Sequence, residues 1–178
     1  MHFRGDLMGD FLVRIYYEDT DCGGIVYHTN YIKYCERARS EIFFSANAMP
    51  NTERVGLVVR KLNAEFLDSA KLGDLLVVKT QILKLGGSSL TLLQEIYLAP
   101  DSLLLDSAKS AESAPFCHSE RSEESQKNPQ NRDSSPAAQN DNAKKIFQCE
   151  VKLACIDIKR KKIVKIPSEI LAILQSKF

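Results

Sequence analysis

The chain has 178 residues, 44% hydrophobic and 26% charged, the composition of an ordinary soluble globular domain. A formal net charge of +1 gives no electrostatic reason to expect nucleic acid or an anionic membrane surface as partner. No apolar run approaches the ~20 residues that a membrane-spanning helix needs, and the opening MHFRGDLMGD lacks the basic start and apolar stretch of a secretory signal, so the expected location is cytoplasmic.

The first patterned stretch, FLVRIYY at 11–17, alternates, with Val13, Ile15 and Tyr17 on one face and Arg14 and Tyr16 on the other. That is the pattern of a half-buried strand. Gly23 and Gly24 break it, and from about Thr29 to Ala46 the period changes. Tyr31, Cys35, Ala38 and Ile42 then fall on one face of a helix, while Lys33, Glu36, Arg37, Ser40 and Glu41 gather on the other. Thr29 or Asn30 is the expected N-cap.

Four strand-like runs follow, at 55–67, 75–85, 90–98 and 146–159, with GGSS at 86–89 as a hairpin turn. The last of these alternates clearly, Phe147, Cys149, Val151, Leu153 and Cys155 against Gln148, Glu150 and Lys152. A short closing helix is expected from Pro167, with Ser168 as its cap. Strand, long helix and four antiparallel strands make an α+β domain over 11–178, a five-stranded sheet wrapped around one helix.

Residues 110–143 interrupt that pattern between the fourth and fifth strands. They are rich in Ser, Asn, Gln, Glu, Ala and Pro, with Phe116 and Cys117 as the bulky apolar residues. Such a stretch buries too little to offset its ordering entropy, so it is expected to be a disordered insertion. A hairpin loop tolerates the extra length, at about 0.6 kcal/mol per doubling. His118 within it has no partnered acid or thiol.

The five cysteines, Cys22, Cys35, Cys117, Cys149 and Cys155, match no zinc-ligand spacing, so no metal and no cofactor are expected. Free thiols in a reducing compartment account for them. Cys22 beside Asp21 has no general base fixed next to it except His28, and is read as a bystander.

The stretch YYEDTDCGGIVYHTNYIKYCERARSEIF, residues 16–43, joins acids, a Gly-Gly pair, a His and a helix in one ordered motif. It resembles the hotdog-fold acyl-CoA thioesterases of the YbgC type, in the 4-hydroxybenzoyl-CoA thioesterase group. LDSAKLGDLLVVKT and CEVKLACIDIKRKKIVKIPSEI resemble that family's later strands, so the likeness spans the chain outside 110–143. What it implies is the hotdog fold and hydrolysis of an acyl-CoA thioester to free acid and CoA.

The resemblance makes Asp21 the essential carboxylate, a nucleophile through a mixed anhydride or a base on water. Helix N-terminal amides favour such an anion while burial opposes it. A loop aspartate standing alone is more often an Asx-turn or a cap. His28 matches the family's His at the helix entry, where its backbone N–H is a better oxyanion donor than its ring. Tyr17 matches the Tyr before the Asp; its phenol is expected either to bond the carboxylate or to join the core. Gly23 and Gly24 let the backbone turn tightly and admit the thioester. Asp19 is read as structural.

CoA carries phosphates, and the turn that supplies basic residues in the 4-hydroxybenzoyl branch reads GGSS here. KRKK at 159–162 is the remaining basic cluster, with Lys162 the expected phosphate contact. The resemblance further implies a homodimer or homotetramer with the active site between subunits, and an acyl-CoA or acyl-carrier-protein substrate. Two other readings stand beside hydrolysis: a non-catalytic acyl-CoA or acyl-carrier-protein binding module, and a hydratase on the same fold. The DTD-x-GG-x-VYH wording argues against the hydratase, and the acid at 21 argues against the binding module.

Overall fold

The computed structural model describes residues 10–99 and 143–177. Within them the elements run β1 (Phe11–Arg14), α1 (His28–Phe44), β2 (Val55–Phe66), β3 (Leu75–Leu85), β4 (Ser89–Leu98), β5 (Lys145–Asp157), β6 (Lys162–Ile163) and α2 (Ser168–Lys177). One antiparallel sheet has the order β1-β3-β4-β5-β2, and β6 pairs with the end of β5. The expected five strands are therefore joined by a two-residue sixth. The expected insertion at 110–143 lies, Ala143 excepted, outside the described residues.

The alternation read in the sequence becomes the core. Phe147, Cys149, Val151, Leu153 and Cys155 of β5 and Leu90, Leu92 and Ile96 of β4 are buried. Against them α1 sets Tyr31, Tyr34, Cys35 and Ala38. Each large apolar side chain so buried stabilises the fold by roughly 1.5–3 kcal/mol. Tyr31 stacks on Phe147, ring centroids 5.4 Å apart and planes 14° off parallel. Phe43 is buried at the helix end where the four-residue spacing pointed to Ile42, which is half-buried.

A buried amide fastens helix to sheet. Gln94 of β4, fully buried, donates through Nε2 to the Cys35 carbonyl at 2.9 Å and to Thr80 Oγ1 at 3.0 Å. Its Oε1 accepts from Arg39 Nη1 at 2.6 Å. With both ends of the amide bonded, a polar group in the core carries no desolvation penalty for unmade bonds.

Three boundaries differ from the sequence reading. β1 stops at Arg14 because the chain turns into a 3₁₀ turn at Tyr17–Asp19, which takes Tyr17 off the strand face. The helix begins at His28 with Tyr27 in the N-cap position and no side-chain cap, so neither Thr29 nor Asn30 caps it. At α2 the Pro167 carbonyl accepts from Leu171 N at 3.0 Å, which puts Pro167 in the capping place and makes Ser168 the first helical residue.

Candidate active site

The segment between β1 and α1 is built as a small hairpin. Thr20 and Val26 form an antiparallel bridge, Asp21 N donates to the Ile25 carbonyl at 3.0 Å, and Gly24 N returns to the Asp21 carbonyl at 3.0 Å. Asp21 thus heads a tight turn whose last residue, Gly24, has φ +73°. Glycine is the residue that takes this left-handed conformation without strain.

Asp21 is exposed, and its Oδ1 accepts from Gly23 N at 2.8 Å. The Asx-turn weighed for a lone loop aspartate is therefore present. It occupies one carboxylate oxygen; Oδ2 has no hydrogen-bond partner among the described residues. A Cβ on Gly23 would lie 3.1 Å from Asp21 Oδ1, so the bare backbone at 23 is what lets the carboxylate fold back this closely. The two glycines serve different ends, close approach at 23 and conformation at 24.

Asp19, two residues earlier, is buried, as expected of a structural residue. Its Oδ2 accepts from Tyr16 N at 2.9 Å, and its carbonyl accepts both Tyr27 N and Asn30 Nδ2 at 2.9 Å. The residues that bracket the turn are thereby bonded to the first turn of α1. Tyr34, buried alongside, has no hydrogen-bond partner for its hydroxyl among the described residues, and burial, then the Asp19 carboxylate, push its phenol pKa up. The other wall is the 68–71 segment: Val26 N donates to the Ala70 carbonyl at 2.9 Å, Ala70 N donates to Tyr31 Oη at 2.9 Å, and Ile25 bridges Lys71.

His28 is the first residue of α1 and is exposed. Its ring packs on Tyr27, centroids 4.4 Å apart, and meets the edge of Phe66 at 6.3 Å. The backbone N–H groups of His28 and Thr29 have no acceptor among the described residues, as the first turn of a helix dictates. Two free amide dipoles at a helix N-terminus attract negative charge.

Asp21, Gly23 and Gly24 share one turn, and His28 stands at the start of the helix that follows it. Tyr17 does not join them in the expected way. It is 82% exposed, neither core nor bonded to Asp21, because the 3₁₀ turn swings it into solvent. Lys162 is not brought to the turn within one chain. His28 packs at Phe66, which pairs with Phe147, whereas Lys162 pairs with Asp157 at the other end of β5. Ten residues of strand separate the two ends, ~33 Å at ~3.3 Å each. Exposed Tyr16, Tyr27, Phe66, Leu67 and Leu72 surround the turn with apolar surface instead. Asn30 is the site residue that sequence reasoning missed. Its amide acts on a carbonyl eleven positions away, a pairing no local spacing signals.

Comparison with known proteins adds independent findings. The Thioesterase superfamily profile matches residues 23–104. The chain is 50% identical over 91 residues to the acyl-CoA thioesterase YbgC of Helicobacter pylori, covering 51% of this chain and 68% of that protein. It is 46% identical over 96 residues to the acyl-CoA thioester hydrolase YbgC of Escherichia coli O6:H1, covering 52% and 71%. Among solved structures, a probable thioesterase from Bartonella henselae superposes with TM-score 0.58 at 23% identity, covering 89% of this chain and 96% of that one. A 1,4-dihydroxy-2-naphthoyl-CoA thioesterase from Synechocystis superposes with TM-score 0.63 at 16% identity, covering 94% and 93%. At these identities the structural matches speak to the fold.

Proposed function

The chain belongs to the thioesterase superfamily, in its YbgC branch, and on that premise we propose that it hydrolyses acyl-CoA thioesters with Asp21 as the working carboxylate. The observation that carries the assignment is the pairing, in one turn-and-helix segment, of an exposed carboxylate with amides of His28 and Thr29 at the helix N-terminus, one carboxylate oxygen and both amides having no hydrogen-bond partner among the described residues.

The chemistry follows from that pairing. A thioester carbonyl laid over the N-terminus of α1 presents its oxygen to the two amides, which stabilise the negative charge that develops when the carbon is attacked. Asp21 Oδ2 either attacks the carbon, giving a mixed anhydride, or takes a proton from an attacking water. Both routes use the same oxygen; in ¹⁸O-water under single-turnover conditions, water-derived oxygen in the enzyme carboxylate marks an anhydride opened at the Asp21 carbon, whereas label in the product alone fits general-base attack or an anhydride opened at the acyl carbon. The Asx-turn fixes the other oxygen and so holds the carboxylate in one orientation. The His28 ring borders the site, and its replacement by Ala should cost less than loss of the Asp21 carboxylate, because the amide donor remains.

A second copy of the chain completes the site in this reading. β2 lies at a sheet edge, twelve residues long, with Val59 50% and Phe66 49% exposed. A free edge of that length invites strand pairing, and an edge-to-edge homodimer would cover the apolar rim around the turn. A partner could also bring its own Lys162, which one chain keeps away from Asp21. Light scattering of the purified chain tests this; a monomer at micromolar concentration overturns the shared-site reading.

The activity test is release of free thiol from acetyl-, butyryl-, benzoyl- and palmitoyl-CoA, and from the matching acyl-carrier-protein thioesters in a cytoplasmic-like buffer. Turnover of any of them supports hydrolysis. Binding without thiol release across the whole set would replace it with an acyl-thioester binding module.

A further inference from the structure

Cys35 of α1 and Cys149 of β5 lie beneath the helix with their sulfurs 3.8 Å apart, 0% and 1% exposed, and both are free thiols. No step of thioester hydrolysis uses them. The geometry points to an oxidation site: Cys35 and Cys149 form an intrachain disulfide on exposure to a small peroxide, clamping the middle of α1 to the sheet.

Four features of the pair support this. First, the sulfurs face each other across the helix–sheet boundary, and a disulfide at about 2.05 Å needs them to close by less than 2 Å. Second, the surroundings are fixed rather than fluid. Gln94 sits beside Cys149 across the β4–β5 ladder and bonds the carbonyl of Cys35, holding both cysteine backbones in place. Third, the nearest charge is a cation. Arg39, one helical turn beyond Cys35, is tied to Gln94 by its Nη1. The contact with the Cys149 sulfur, then burial, push the Cys35 thiol up, and the Arg39 charge favours a thiolate on either sulfur. Whichever thiol is oxidised first, the other stands within reach to resolve it. Fourth, the link would close a loop spanning 114 positions, and long loops gain most from closure.

The reaction balances with hydrogen peroxide as oxidant. One thiolate of the pair attacks one peroxide oxygen, the O–O bond breaks, and hydroxide leaves and takes up the thiol proton as water, giving a sulfenic acid. The other thiol then attacks that sulfur, the S–S bond forms, and a second water leaves. Two thiols lose two electrons and two protons, and the peroxide is reduced to two waters. Burial makes the step wait on local opening between α1 and the sheet, which sets its rate and not its outcome.

The test is a thiol map of the full chain. The protein is treated with hydrogen peroxide under native conditions, denatured, alkylated and digested without reductant. Expected is a linked pair of peptides carrying Cys35 and Cys149, lighter by two hydrogens than their sum, with two of the five cysteines lost to alkylation and both restored by dithiothreitol. The oxidised protein should also unfold at higher urea concentration than the reduced one. Cys35→Ser and Cys149→Ser should each abolish the linked peptide, and Cys22→Ser should leave it. Recovery of both cysteines alkylated, their separate conversion to sulfinic acid, or linkage of either one to Cys22, Cys117 or Cys155 would overturn the proposal. The map on the unmutated chain decides the matter even if a serine variant fails to fold.

Discussion

Asn30 holds Asp19 across the start of the helix: its Nδ2 donates to the Asp19 carbonyl at 2.9 Å, and both residues are buried. The same carbonyl takes Tyr27 N, so one oxygen ties the 3₁₀ turn to the residue before α1 and to the third residue within it. Asp21 hangs two residues beyond that anchor. Asn30→Ala leaves the Asp19 carbonyl with the Tyr27 bond alone, which costs about 0.5–1.5 kcal/mol. It should also lower kcat by tenfold or more, since a displacement of ~1 Å at a catalytic group has effects of that order and above. Urea unfolding and steady-state kinetics measure the two effects. Unchanged kcat in a destabilised variant would show that Asn30 supports the fold alone.

Asp21→Asn separates chemistry from structure. An asparagine side-chain oxygen still accepts from Gly23 N, so the turn keeps its bond and the unfolding midpoint should hardly move. What disappears is the anion, the nucleophile or base of the reaction. Hydrolysis should fall on the order of 10²-fold or more with CoA binding retained. Near-full activity in the variant would remove Asp21 from the mechanism.

The two glycines should fail differently. Gly24→Ala places a side chain at φ +73°, a strain of roughly 1–2 kcal/mol, which thermal unfolding reads directly. Gly23→Ala meets no such backbone barrier; its Cβ instead lies 3.1 Å from Asp21 Oδ1 and displaces the carboxylate. A kcat loss at position 23 larger than its stability loss, and the reverse order at 24, is the expected pattern. Equal stability losses with no change in kcat at either position would refute the division of roles.

How much of this was legible follows from the range of each signal. The buried stripe of β5 and the Tyr31–Cys35–Ala38 face of α1 are local periodicities, and the sheet that buries them reads straight from their spacing. Tyr17 continued an alternation that the backbone abandons at Arg14, because Asp19 bonds back to Tyr16 N and draws the chain into a turn. Only charge marks Lys162 in the sequence, and charge does not say at which end of a thirteen-residue strand a turn lies. Asn30, the Cys35–Cys149 contact and the Arg39–Gln94 link join distant positions, and helical or strand period carries no information about them.

The β4–β5 connection should be replaceable. Leu98 N donates to the Lys144 carbonyl at 2.9 Å, so the two strand ends are already hydrogen-bonded neighbours where the described residues break off and resume. A short turn in place of residues 100–142 spans that gap within ordinary hairpin geometry. The shortened chain should stay soluble and hydrolyse acyl-CoA at the rate of the full chain. Aggregation, or a lost oligomer, would show that residues 100–142 contribute to the assembly.

Asp157 gives the fold a defined acid sensitivity. Its Oδ1 accepts from Arg160 N at 2.9 Å and Lys159 N at 3.1 Å, and its Oδ2 from Arg54 Nε at 2.9 Å. The Arg160 backbone bond, then Arg54, hold its carboxyl below the ordinary aspartate range. The side chain is shielded by its bonded neighbours, yet the partner Arg54 is largely exposed, so the ion pair adds little beyond the backbone bonds. A folded pKa below the unfolded value of ~3.9 means that this contribution is complete above about pH 4. It fades as pH falls through the folded pKa, where the unfolded chain binds the proton more readily. Asp157→Asn should therefore be less stable than the parent at pH 7, with the gap closing below about pH 4. Urea unfolding of both chains across that range tests it, and a gap that persists unchanged into acid would mean that amide geometry, not charge, makes the difference.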